Sequence, residues 1–392
     1  MNANHSLKAG WIVDGTGDPA RKNIFITINK GRISSLDTAL PLKAESPALL
    51  DYSGCTVIPG LVDAHVHLVM SGAVDPVIRE AQLFASYEKA APVINRHLDE
   101  ALASGVVALR DGGDWGGHAL QFVREAGPMP VIAKCAGKAW RASKRYGKLV
   151  GRAPVEGQSL AEALKNDDQS PDFIKVVGSG LNSLVEFGKQ TPPQFSLEEL
   201  TEAVEAARSM GLDVMVHANG DEPVRIAVEA GCQSVEHGFF MGRENLKRMA
   251  DKGTVWVPTA VTMESYAQSL PMEDPQRDGA LRNLEAQVKL ISLARELGVT
   301  LAVGTDAGST GVHHGRSLWR EMALFMEAGF SVEEVIQATC RTGAGLLELP
   351  DLGVLEAGKE ATLVVVKGSP KDLPQSLKNP VAVIVRGEVQ TP

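Results

Sequence analysis

Cysteine is scarce in this chain, and its four copies stand far apart. Cys55, Cys135, Cys232 and Cys340 form no C-x-x-C pair. That spacing excludes a cysteine-based zinc finger and suits reduced thiols, so a cytoplasmic protein is expected. Cys135, inside the apolar run VIAKCAG, reads as core. Long apolar runs are missing too: none approaches the ~20 residues needed to span a bilayer. The opening stretch MNANHSLKAG lacks the apolar centre of a secretory signal. The net −9 is spread over 392 residues and argues against nucleic acid or an anionic membrane as partner. A small-molecule substrate is the expected partner, with a homo-oligomer left open.

What is present falls into two textures. Residues 1–58 read as short strands, among them NIFITINKGRISSLD with a hairpin turn at NKGR. The tail from 348 is similar, with LGVLEAGKEATLVVVKG and PVAVIVRGEVQ as strand candidates. These two ends are expected to pair into one composite β-sandwich domain, 1–58 with 348–392. The middle, 59–347, alternates strand-like apolar runs with amphipathic stretches such as SLEELTEAVEAARSMG. Strands alternating with helices argue for a parallel sheet. Eight such units over this length argue for a (β/α)8 TIM barrel.

The stretch VDAHVH places His65 and His67 two apart at the end of the first barrel strand. Residues i and i+2 of a strand share a face, so both rings point to the barrel mouth. Paired imidazoles make a poor core, because each ring carries a polar nitrogen, but they are good metal ligands. Other strand candidates repeat the pattern. Lys175 sits in FIKVV, His217 ends LDVMVH, His237 ends QSVEH and Asp306 ends LAVGTD. These groups stand where barrel enzymes keep their sites. Taken singly, each histidine could be a hydrogen-bonded core residue, Asp306 a helix cap and Lys175 one half of an ion pair.

The ordered set, with the flanking PGLVDAHVHL, VHANGDEPVRIAVEAGCQSVEHG and GTDAGSTGVHHG, resembles the amidohydrolase superfamily in its two-metal, carboxylated-lysine form. It is most similar to the prolidase-like metal-dependent branch. The resemblance implies two divalent metal ions, zinc by ligand type, with manganese or iron as alternatives. It gives His65, His67 and Asp306 to one ion and His217 and His237 to the other. Lys175 would bridge them as a carbamate formed with carbon dioxide. A metal-bridging hydroxide would attack the carbonyl, with Asp306 as proton shuttle and His237 beside it in the catalytic set. The implied activity is cleavage of an amide C–N bond in an N-acyl amino acid or dipeptide. The same centre would serve a carbamate, urea or lactam hydrolase or a deaminase. A barrel that has lost catalysis and serves binding or assembly is the remaining reading, although the full ligand set opposes it.

The loop after the third strand departs from the branch. Peptidase members carry a histidine there; this chain has KAWRASKRYGK, with Lys138, Arg141, Lys144, Arg145 and Lys148 beside Trp140 and Tyr146. Arg141, Arg145 and Tyr146, with His314 and Arg316 from GVHHGR, are the candidate substrate contacts, chosen to meet an anionic group. Trp115, His118 and His313 sit in loops that could also line the mouth. His5 and His97 have no strand-end context and read as surface residues.

Overall fold

The computed structural model describes residues 5–39 and 48–390. The first four residues of the opening stretch read above lie outside them. Sixteen strands are present among the described residues. They are β1 His5–Ile12, β2 Arg21–Asn29, β3 Arg32–Asp37, β4 Ala48–Pro59, β5 Leu61–Val66, β6 Val106–Asp111, β7 Ile132–Cys135 and β8 Ala139–Trp140. There follow β9 Gly151–Arg152, β10 Ile174–Val177, β11 Val214–Ala218, β12 Ser234–His237, β13 Val255–Val257, β14 Leu363–Lys367, β15 Ala382–Val385 and β16 Glu388–Gln390.

Both ends of the chain share one seven-stranded sheet, in the order β16-β15-β14-β4-β1-β2-β3. Alternation drives it: in β2 the side chains of Ile24, Ile26 and Ile28 are buried while their neighbours are more exposed. Asn29 pairs with Arg32 across the two-residue turn Lys30-Gly31. Both turn residues have positive φ, 50° and 76°, the type I′ form that suits strand twist. The sheet curls back on itself. Ile33 N donates to Lys359 O, Ala361 N to Gly31 O and Gly387 N to Ala361 O. The two layers enclose Leu7, Ile12, Ile26, Ile33, Val365 and Ile384, a small sandwich core.

Beyond Pro59 the chain turns at Gly60 and enters the barrel. Parallel pairing runs β5-β6-β7 and β8-β10-β11-β12-β13. The third strand is split: β7 pairs with β6, and β8 with β10. The eighth candidate, TLAVGTDAG, closes the ring through isolated bridges, Leu301 to Trp256 and Ala307 to Val66. Asp63 accounts for the irregularity. Its carboxylate accepts from Thr305 N (2.9 Å), a donor that a regular ladder would give to backbone, and from Thr305 Oγ1 (2.6 Å). The outcome is a TIM barrel with its helices outside and a β-sandwich built from the two chain ends. No described helix is long and apolar enough to cross a membrane.

Candidate metal centre

The carboxyl ends of β5, β10, β11 and β12, with the irregular eighth strand, meet at one cavity of about 340 Å³. His65, His67, Lys175, His217, His237 and Asp306 all line it. The six residues anticipated at strand ends are therefore brought together. His65, His67 and Asp306 offer ligand atoms within 4.8 Å of one another. Asp306 Oδ1 is 3.4 Å from His67 Nε2 and 3.6 Å from His65 Nε2. The rings form a chain: His65 lies 5.4 Å from His67 and 5.0 Å from His237, and His237 lies 4.6 Å from His217.

Each ring is fixed through its other nitrogen. His65 Nδ1 pairs with Glu236 Oε2 at 2.7 Å, His67 Nδ1 with Gly113 O at 2.7 Å, and His237 Nδ1 with Thr259 Oγ1 at 2.7 Å. Those bonds leave Nε2 as the inward atom. His217 is the reverse: Nε2 meets Gly180 O at 3.2 Å, leaving Nδ1. Such outer partners set tautomer and ring orientation. Backbone strain sits at the same place. His237 and Asp306 are non-glycine residues with φ of 67° and 57°, in the left-handed region.

Of the buried side-chain atoms that make no hydrogen bond among the described residues, two belong to residues lining this cavity, His65 Nε2 and Lys175 Nζ. A buried polar group without a partner is costly, so this pair is an observation to explain. Gly112 widens the same spot. A Cβ there would lie 2.9 Å from His67 Cε1 and 3.4 Å from His65 Nε2. Electrostatics points the same way. Burial, followed by the Lys175 ammonium, pushes His67 down to about 4 and His217 to about 3. His65 and His237 are also driven well below the usual imidazole value, chiefly by burial. All four rings are thus neutral at pH 7, the form in which imidazole donates to a cation. Burial lowers Lys175 to about 8 against the opposing pull of Glu236 and Asp306. Four neutral imidazoles, a carboxylate and a lysine with a depressed pKa fit divalent metal.

The anticipated substrate contacts fare differently. Tyr146 lines the cavity, its ring 5.6 Å from that of His217. Arg141 does not reach the cavity; its Nη1 donates to Ala142 O at 3.1 Å. Arg145 turns outward and donates to Pro192 O at 3.0 Å. Lys144, Lys148 and Arg316 are exposed, so those basic charges are solvated surface. His314 is buried behind the wall, with Nε2 on Met70 O at 2.8 Å. It stacks on His97 at 4.2 Å. His97 and His5 are buried, which corrects their reading as surface residues. For His97 the sequence held a signal: it falls on the inward stripe of the helix Tyr87–Ala103, with Ala90, Ile94 and Ala101.

Three residues that sequence reasoning passed over complete the site. Glu236 orients His65. Asp111 ties the turn after β6 to the segment after His67, accepting from Gly113 N at 2.9 Å and Leu68 N at 2.7 Å. Arg79, on the helix Pro76–Leu83, is the one cation besides Lys175 among the described lining residues. The walls are otherwise largely apolar, with Met70, Leu149, Leu181, Leu184 and Met263.

Comparison with known proteins agrees with this geometry. The model of the amidohydrolase family matches residues 56–390. An uncharacterized protein of Mycobacterium tuberculosis is 27% identical over 97% of this chain and 95% of its own. The ochratoxinase of Aspergillus niger is 24% identical over 96% of this chain and 84% of its own. A crystal structure of a Xaa-Pro dipeptidase with methionine bound in its active site superposes with a TM-score of 0.84. It is 28% identical and covers 100% of both chains.

Proposed function

The chain belongs to the amidohydrolase family, in its prolidase-like branch, and from that premise we propose a metal-dependent hydrolase that cleaves the amide bond of an N-acyl amino acid or dipeptide. The observation that carries this reading is the convergence of His65, His67, His217, His237 and Asp306 around the unpartnered Lys175 Nζ. In this reading His65, His67 and Asp306 hold one divalent ion, and His217 and His237 a second. Lys175, as the carbamate, would supply further anionic ligand oxygens. Two such cations would act as Lewis acids on the carbonyl oxygen and lower the pKa of water.

The chain's own residues do the rest. Asp306 Oδ1 takes the proton of the attacking water and returns it to the leaving nitrogen. Ser309 Oγ donates to Asp306 Oδ2 at 2.8 Å and holds the carboxylate in orientation for that transfer. The apolar walls exclude bulk water from the amide and receive the substrate's side chain. The amino acid bound in the dipeptidase relative supports an occupant of that size and kind. We assign the barrel to 59–347 and the composite sandwich to 1–58 with 348–392. The substrate is then a small molecule met in the cytoplasm.

Protein grown in zinc- or manganese-supplemented medium is expected to carry about two divalent ions per chain. The loaded protein, screened against N-acyl amino acids, dipeptides, lactams and carbamates, is expected to favour the first two. A folded preparation that binds no metal after reconstitution would sink the reading. Preference for a lactam or carbamate would move it to that class.

A further inference from the structure

The cavity has a chemical polarity. Its lining joins the cluster of metal-capable side chains, mainly apolar walls and the guanidinium of Arg79. Arg79 is held in place rather than paired. Asp75 caps its helix, accepting from Val77 N at 2.8 Å, and Pro76 opens the first turn. Arg79 Nη1 donates to Gly308 O at 3.0 Å and to Ala73 O at 3.3 Å. Among the described residues no carboxylate lies within ion-pair distance of the guanidinium. A half-buried guanidinium with one nitrogen tethered and the rest of its donor edge unused is a fork set for a planar anion.

The tether also says where that anion sits. Gly308 is two residues past Asp306, the group assigned to protonate the leaving nitrogen. In an α-amino acid the carboxylate is attached one carbon from that nitrogen. An anion on the open edge of Arg79 and a nitrogen facing Asp306 therefore suit the two ends of one amino acid. A single guanidinium matches the single charge of a carboxylate.

We propose that Arg79 is the specificity-determining residue that binds the carboxylate of the substrate's leaving amino acid, and that the apolar walls select an apolar side chain on it. This rests on the amide-hydrolase reading above. The basic side chains Arg141, Lys144, Arg145 and Lys148 of the loop after β8, and Arg316, take no part.

The test compares metal-loaded wild type, Arg79→Met and Arg79→Lys. The substrates are N-acetyl-L-methionine and its methyl ester. Binding of the free products, L-methionine and L-methioninamide, is measured separately by titration calorimetry. Wild type is expected to favour the acid by roughly tenfold or more in kcat/KM, the scale of a charge-assisted contact. Arg79→Met should erase that preference through KM for the acid, with little change for the ester. Arg79→Lys should recover only part of it, because the fork is lost. L-methionine should bind wild type roughly tenfold more tightly than Arg79→Met, and L-methioninamide should bind both alike. If the acid is hydrolysed and Arg79→Met leaves its KM unchanged, the inference falls and the reaction stands. If no acyl amino acid is cleaved but L-methionine binds in an Arg79-dependent way, the reaction falls and the inference stands. Folded, metal-loaded wild type that binds L-methionine no better than L-methioninamide overturns the inference outright.

Discussion

His65 Nδ1 and Glu236 Oε2 stand 2.7 Å apart, with both side chains shut away from solvent. They lie 171 residues apart in sequence, and the barrel brings them together. The contact turns His65 Nε2 inward. Glu236 is itself held by Ser234 Oγ at 2.6 Å and lies 3.7 Å from Arg110 Nη1.

Glu236→Gln keeps the shape and removes the charge that orients and enriches His65 as a donor. Metal affinity should fall by roughly 10–100-fold, the usual scale for an outer partner of a ligating histidine. Competition against a chelator at low temperature measures it. The melting temperature should fall as well, because Arg110 loses its buried counter-charge. Unchanged metal affinity would show that Glu236 serves Arg110 alone.

Lys175 must be a free amine before it can add carbon dioxide, a reaction that forms an N–C bond and releases a proton. Burial sets its pKa at about 8 in the metal-free protein. The amine fraction therefore rises as pH climbs through 8. Reconstitution of stripped protein with metal and bicarbonate should be faster at pH 9 than at pH 6.5, with a midpoint near 8. Lys175→Ala should lose metal and regain part of it with short carboxylic acids. Reconstitution that ignores both pH and bicarbonate would remove the carbamate from the reading.

Gly112→Ala tests the space between the rings. The added methyl would sit 2.9 Å from His67 Cε1 and 3.2 Å from its Nε2, closer than van der Waals contact allows. The variant should fold, since Gly112 does not have a positive φ, yet bind metal at least roughly tenfold more weakly. Circular dichroism and elemental analysis on one sample separate the two effects. Full metal content would mean that the rings shift at little cost.

The stacked pair His97 and His314 gives the stripped protein a pH-dependent stability. Burial drives His314 well below 6.5, with His97 next in effect, and burial lowers His97 too. Glu100 opposes the shift of His97, while Arg96 and His313 add to it. A folded-state pKa below the unfolded one means that the unfolded chain binds the extra proton. Stability is then full above pH 6.5 and is lost as pH falls towards the folded value. His314→Gln should flatten that loss by about 1.4 kcal/mol per pH unit between pH 6 and 5. Parallel slopes for variant and wild type would mean that His314 is protonated in the fold.

The cluster was legible because strands write it in a simple code. His65 and His67 share a face by period two, and polar groups ending apolar runs mark one rim. The terminal sheet was legible from its alternation and the Lys30-Gly31 turn. Arg79 and Glu236 were not, for a physical reason. Arg79 lies on a helix with no buried residue, and its bond to Gly308 O, 229 positions away, is a contact of the fold that sequence does not display. The basic run Lys138–Lys148 misled because sequence gives charge without direction. Arg145 spends its donors on the carbonyls of Pro192 and Pro193.

Asp306→Asn asks whether this carboxylate moves a proton. The substitution is well suited to its backbone. Asp306 has φ of 57°, a left-handed conformation that asparagine adopts more readily than most residues. The side chain keeps its size, and its amide can still bond Ser309 Oγ, now 2.8 Å from Oδ2. What disappears is the charge and the basicity. Turnover should fall by at least ~10²-fold while the fold survives. Asp306 is also an assigned ligand, so kcat is normalised to the metal content of the same sample. A loss that tracks metal content alone would make Asp306 a ligand only. Near-normal kcat at full occupancy would hand the proton to another group. The candidate is then Tyr146, the cavity residue whose ring lies 5.6 Å from His217, and Tyr146→Phe would decide it.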